Sequence, residues 1–224
     1  GLTQMMNRLD DSSKLKTNEL ANELKALMKP LFEKHMKDVL SGDFSLMMMK
    51  DWANNDIELL TWRAETGDTA FEKAIETEEN ISNQEFFDNG LLMIAFTKAG
   101  VELAYETMVE NGIKAESAYY ESLHEAPLIA NTIARKKLYE MNRVISDTAE
   151  YGCYLFNHAC KPLLKDFMTS VDNHLVGKPF FNSSYISVDS IDELNSKVKN
   201  HPIEKVGARL RLSMTQMKKL ELSE

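Results

Sequence analysis

Apolar residues recur at helical spacing along most of the chain. Between residues 14 and 40, Leu20, Leu24, Leu27, Leu31 and Met36 recur three to five positions apart. Such spacing lines one side of a helix and predicts a long amphipathic one. Ser12 or Ser13 suits its N-cap, Gly42 its end, and Pro30 predicts a kink. Residues 44–66 predict shorter helices around Trp52 and Trp62, ending at Gly67. Residues 68–82 are acidic and poorly periodic, and predict an exposed connector. A long apolar helix is expected over 85–111, ending at Gly112, and placed centrally or against another subunit. Two helices, 115–125 and 127–142, are broken at Pro127, which fits the first position of a new helix. A further helix covers 147–174, then a loop over 175–188, then amphipathic helices at 189–199 and 203–220. No strand pair emerges, so the expected class is all-α.

Composition narrows the functions this architecture can serve. The net charge of −9 excludes nucleic acid as a main partner, because phosphate contacts need a basic face. It also argues against anionic membrane surfaces, and no apolar run reaches the length of a membrane span. The thirteen methionines favour adaptable helical cores. Cys153 and Cys160 lie two helical turns apart, too far for a disulfide within one helix. They are expected to be reduced and partly buried, in a cytoplasmic protein. The start at Gly1 rather than methionine leads us to expect a fragment of a longer chain.

The candidate chemistry centres on YYESLHEAP, residues 119–127. Glu121 and Glu125 are four apart, so a helix would aim both carboxylates at one point. Like charges at that spacing repel unless a cation stands between them. Hard oxygen ligands of this kind suit Mg²⁺. Glu102, Glu106 and Glu110 repeat the spacing on the preceding helix, and either set could equally be a solvated face. Glu121-Ser122-Leu123-His124 is also a Glu-x-x-His, but no second copy exists to make a di-iron bundle. His124 fits better as a packed imidazole or a carboxylate partner. In SDTAEYG, residues 146–152, Asp147 and Glu150 have capping-box spacing. That start could simply begin a helix, or could present free amides and the Ser146 hydroxyl to an anion. No G-x-G-x-x-G, Walker loop or nucleophile elbow is present.

An internal repeat is visible. Met6-Asn7-Arg8-Leu9 echoes Met141-Asn142-Arg143-Val144, and Lys29-Pro30-Leu31 with Met36 echoes Lys161-Pro162-Leu163 with Met168. Two matches in the same order favour duplication. We expect residues 1–75 to be the back half of a first helical repeat and 83–224 a whole second repeat.

Residues 119–152 closely resemble the carboxy-terminal domain of ketol-acid reductoisomerase, above all in ESLHE and SDTAEYG. MKPLFEKHMKDVLSGDFS (28–45) and DWANND (51–56) are similar to the long bacterial form, whose helical, knotted domain is duplicated. The resemblance runs essentially from end to end. It implies a branched-chain amino-acid enzyme that converts an acetohydroxy acid to a dihydroxy acid. An alkyl group migrates on two Mg²⁺ ions, and NADPH then reduces the keto acid. By motif match, Glu121 and Glu125 would be ligands of the second Mg²⁺, one directly and one through water. Ser146 would hold the substrate carboxylate, and Glu102, Glu106 and Glu110 would be structural. The family's Asp-x-x-x-Glu metal helix, written DLxGEQ, has no match here, and the segment near Asp88 (FFDNGLLMIAF) lacks the glutamate. The nucleotide-binding domain is also missing. The resemblance therefore implies a portion inactive alone and partnered by its own N-terminal nucleotide-binding domain; a chain without its first helices should expose apolar surface, from which we expect a homo-oligomer. The competing readings are a non-catalytic helical scaffold of the same fold and a free-standing di-metal protein.

Overall fold

The structure is a computed structural model that describes residues 1–75, 79–182 and 185–214. Among these the regular elements are helical, with no strand. The expected connector over 68–82, loop over 175–188 and helix over 203–220 each fall partly outside the described residues.

A short α1 (Leu2–Met6) precedes α2 (Asp11–Ser41). Asp10, rather than Ser12 or Ser13, is the N-cap of α2, and it accepts the Ser13 amide at 3.0 Å and the Ser13 hydroxyl at 2.7 Å. A carboxylate accepts from several donors at once, which orders both serines as donors instead. The helix continues through Pro30 to Gly42, whose φ of 86° ends it. Thr17, Leu20, Ala21, Leu24 and Met28 form its buried stripe.

That stripe packs on α7 (Leu91–Glu110), the central helix of the molecule. Leu91, Ala95, Ala99 and Leu103 meet α2, while Ile94, Val101 and Tyr105 pack in a second cluster with Leu2, Met6, Tyr119, Leu194 and Ile203. Apolar side chains around most of its circumference suit a helix with neighbours on several sides. The helix expected over 85–111 is divided into α6 (Asn83–Asn89) and α7 at Gly90. A Cβ at Gly90 would stand 2.4 Å from the Phe86 carbonyl oxygen, so only glycine fits this break.

The remaining elements hold the ends of the molecule together. α3 (Asp43–Ala53) and α4 (Ile57–Gly67) are joined by Asn55 and Asp56, both left-handed at φ 62° and 57°. Asp51, buried in DWANND, caps α4 by accepting the Glu58 amide at 2.9 Å and the Leu59 amide at 3.0 Å. α5 (Ala70–Lys73) and α8 (Ala115–Tyr119) are short. α9 (Ala126–Val144) leads into α10 (Asp147–Ser170), followed by α11 (Val188–Asn200) and α12 (Pro202–Ser213). Both Lys-Pro-Leu copies lie inside long helices, α2 and α10, and Met6 and Met141 are both buried. Cys160 is buried and Cys153 exposed, and both are free thiols.

Candidate metal and substrate site

The segment YYESLHE is a turn that changes winding. α8 ends at Tyr119, and Tyr120–His124 form a single wide π-helical turn. The Glu125 amide reaches back five residues to the Tyr120 carbonyl at 3.2 Å. Pro127 lies in the first turn of α9 and has no amide to give to a tighter ladder. The π-turn before it lets the run continue into α9.

Tyr119 anchors the turn. It is buried at 3% exposure, and its hydroxyl accepts from Arg211 Nη1 at 3.0 Å. A side chain at Gly207 on α12 would lie 2.4 Å from the Tyr119 ring, so the glycine makes room for it. His124 packs edge-on to Tyr120 at 4.8 Å between ring centroids, and tilted to Tyr119 at 6.0 Å. It is a packed imidazole, as its setting in sequence leads one to expect. Ser122 is turned inward, its hydroxyl donating to the Ala118 carbonyl at 2.5 Å.

Glu121 and Glu125 point the other way. Both are exposed, and neither carboxylate has a hydrogen-bond or ion-pair partner among the described residues. Glu102 and Glu106 differ completely. Lys98 donates to Glu102 at 2.7 Å, and Lys25 donates to Glu102 at 3.3 Å and to Glu106 at 2.7 Å. His201 Nε2 lies 2.9 Å from the same Glu106 oxygen, while its Nδ1 accepts the Ile203 amide at the start of α12. Burial by itself would raise the Glu106 carboxyl. Hydrogen bonds from His201 and Lys25, and their charge, outweigh it and hold the group at about 2. Glu102, Glu106 and His201 are close enough to bind one ion, but two lysines already neutralise the glutamates. Sequence spacing shows the glutamates of this set and Lys98, four residues before Glu102 on α7 itself, but not Lys25 of α2 or His201 at the start of α12.

Ser146 is the N-cap of α10, so the capping pair is Ser146 and Ala149 rather than Asp147 and Glu150. Its oxygen accepts the Ala149 amide at 3.2 Å. Its own proton stays available to an anion beside the helix start. Glu150 is turned inward instead, at 2% exposure. Arg63 on α4 grips it with Nε at 2.7 Å and Nη2 at 2.6 Å. The sequence gives no sign of this pairing.

The donor set of Glu121 and Glu125 fits a hard divalent cation: two unengaged carboxylates, open to water and substrate oxygens. No group of three His, Cys, Asp or Glu ligands that includes them occurs among the described residues.

Residues 85–216 match the family described as "Ketol-acid reductoisomerase, C-terminal domain", which is more than half of the chain. The chain belongs to the ketol-acid reductoisomerase family. A curated relative, "Ketol-acid reductoisomerase (NADP(+))" of Christiangramia forsetii, is 63% identical over 221 residues. The match covers 98% of this chain and 45% of the relative. A reductoisomerase of the same description from Flavobacterium johnsoniae is 63% identical over 220 residues, and one from Salmonella arizonae 58% over 223. Each is covered to 45% of its length, so the chain spans less than half of these reductoisomerases. No helix of the described residues is long and apolar enough to cross a membrane.

Proposed function

We propose that the chain is the metal- and substrate-binding portion of a magnesium-dependent ketol-acid reductoisomerase, with Glu121 and Glu125 as one half of a two-metal site. The observation that carries this reading is the contrast between the two glutamate pairs. On α7 the pair is saturated by lysines and a histidine, whereas at the π-turn both carboxylates stand free. Neither carboxylate has a counter-charge among the described residues, and a bound cation would supply one to both. When bound, Mg²⁺ acts as a Lewis acid on the substrate carbonyl and alkoxide oxygens and as a template for alkyl migration. Glu121 and Glu125 hold and orient that ion. Ser146 donates its proton to the substrate carboxylate, assisted by the amides of the first turn of α10.

The reaction carries an acetohydroxy acid to a dihydroxy acid, with NADPH as reductant. The nucleotide and the remaining metal ligands belong to the part of the longer enzyme outside this chain, which has no dinucleotide fingerprint of its own. The test is Glu121→Gln in the full-length enzyme. Loss of an outer-shell partner alone costs about 10- to 100-fold, so loss of this ligand should cost at least about 100-fold in activity. Helical content should be unchanged. Activity at the wild-type level would refute the metal reading and leave a helical scaffold of the same fold.

A further inference from the structure

The start of α10 has little of its own to hold it. Ser146, Asp147, Thr148 and Ala149 are all exposed. The first buried residues are Glu150 and Tyr151; one face of α4 contacts both, and Phe44 of α3 also packs on Tyr151 at 5.9 Å between ring centroids. Arg63 forms the bidentate pair with Glu150 at 2.6 and 2.7 Å. Trp62 packs against Tyr151 at 5.2 Å between ring centroids, and Glu58 Oε2 accepts from the Tyr151 hydroxyl at 3.4 Å. The α4 face is itself registered by the Asp51 cap on the Glu58 and Leu59 amides. The tether reaches Ser146 directly, because the Glu150 amide donates to the Ser146 carbonyl at 2.9 Å. A chain of contacts thus runs Asp51, α4, Arg63, Glu150, Ser146.

We propose that Arg63 is a positioning residue for substrate binding: through Glu150 it sets the place and the charge of the Ser146 anion site. This rests on the reading of Ser146 as the group that holds the substrate carboxylate. Two effects act together. The planar fork fixes where the first turn of α10 sits, because two parallel hydrogen bonds define an orientation that one does not. It also neutralises a buried carboxylate one helical turn from the place where the substrate's own carboxylate must bind. With Arg63 removed, that negative charge would be unpaired and weakly screened, and would repel the substrate.

The experiment uses full-length enzyme and compares Arg63→Met, Arg63→Lys, Ser146→Ala and the double variant Arg63→Met/Ser146→Ala. A misplaced binding group costs up to about 100-fold. We expect both Arg63 variants to raise KM for the acetohydroxy acid, Arg63→Met by about 10- to 100-fold and Arg63→Lys by less. The concentration of Mg²⁺ giving half-maximal activity should stay as in wild type, because Glu121 and Glu125 lie on a different element. The double variant should have the KM of Ser146→Ala alone, since a positioning residue adds nothing once its target is gone. A merely structural pair would lower the active fraction and the melting temperature but leave KM unchanged in the molecules that fold. If Arg63→Met does not fold, Arg63→Lys carries the test, because it keeps the charge and loses only the fork. A raised KM in Ser146→Ala with an unchanged KM in the folded Arg63 variants overturns this inference alone. An unchanged KM in Ser146→Ala overturns the inference and the substrate reading of Ser146 together.

Discussion

Glu102 and Glu121 begin two pairs with the same spacing and meet opposite surroundings. Glu102 is 3% exposed and lies between Lys98 and Lys25, whereas Glu121 faces water without a partner. Removing one side of a buried pair strands the other charge at a cost of about 3–5 kcal/mol. Lys98→Met should therefore destabilise the fold by roughly 3 kcal/mol in urea unfolding, the lower end because Lys25 still reaches Glu102. Glu121→Gln should change stability by less than about 0.5 kcal/mol, as expected of an exposed side chain. The same contrast sets a pH dependence. The Glu106 carboxyl is held at about 2, below its ordinary 4.5, so it binds protons less readily in the folded state than in the unfolded one. Its contribution is complete above about pH 4.5 and is lost as pH falls towards 2. Stability measured across that window should fall with pH, and less steeply in Glu106→Gln. Helical spacing singled out both glutamate pairs. It could not rank them, because what separates them is Lys25 and His201, brought in by tertiary folding.

Element by element, the sequence predicts most helices to within a few residues, because apolar spacing and caps are local. It fails where a break is imposed from elsewhere. The helix expected over 127–142 is interrupted at Lys137, with φ 58° and ψ −173°, in a run without glycine or proline. That conformation is costly for a side-chain-bearing residue and persists only when its surroundings impose it. Here α5 does so. Glu72 Oε1 accepts the Leu138 amide at 2.8 Å and the Tyr139 amide at 3.0 Å, restarting the helix. Lys137 Nζ in turn donates to the Glu72 and Ala74 carbonyls, both at 2.6 Å. Glu72→Ala removes this cap and should cost about 1–2 kcal/mol in thermal or denaturant unfolding. Faster amide exchange at Leu138 and Tyr139 should accompany it. The π-turn at Tyr120–His124 is a partial case, since Pro127 announces a change of direction but not how the chain accommodates it.

Across the whole molecule, α7 joins two packed clusters, meeting α2 on one side and α1, α8, α11 and α12 on the other. The all-α class and the central place of this helix follow from its near-continuous apolar run. The way α4 holds α10 does not, because Arg63 and Glu150 are 87 residues apart. Leu46, Met49, Trp52, Ile57 and Leu60 are about half exposed on α3 and α4, more apolar surface than these short helices need to show to water. The proposed function assigns this chain only two of the metal ligands, and its sequence has no nucleotide fingerprint, so the 224-residue polypeptide alone should give no turnover with an acetohydroxy acid, Mg²⁺ and NADPH in a spectrophotometric assay. The most direct test of the central claim is a count of bound metal ions in the full-length enzyme. Mn²⁺, which shares the preference of Mg²⁺ for oxygen ligands, can be titrated by its paramagnetic resonance signal. The wild type should bind two ions per chain, and Glu121→Gln/Glu125→Gln should lose one of them. Two ions bound with unchanged affinity in the variant would contradict the account.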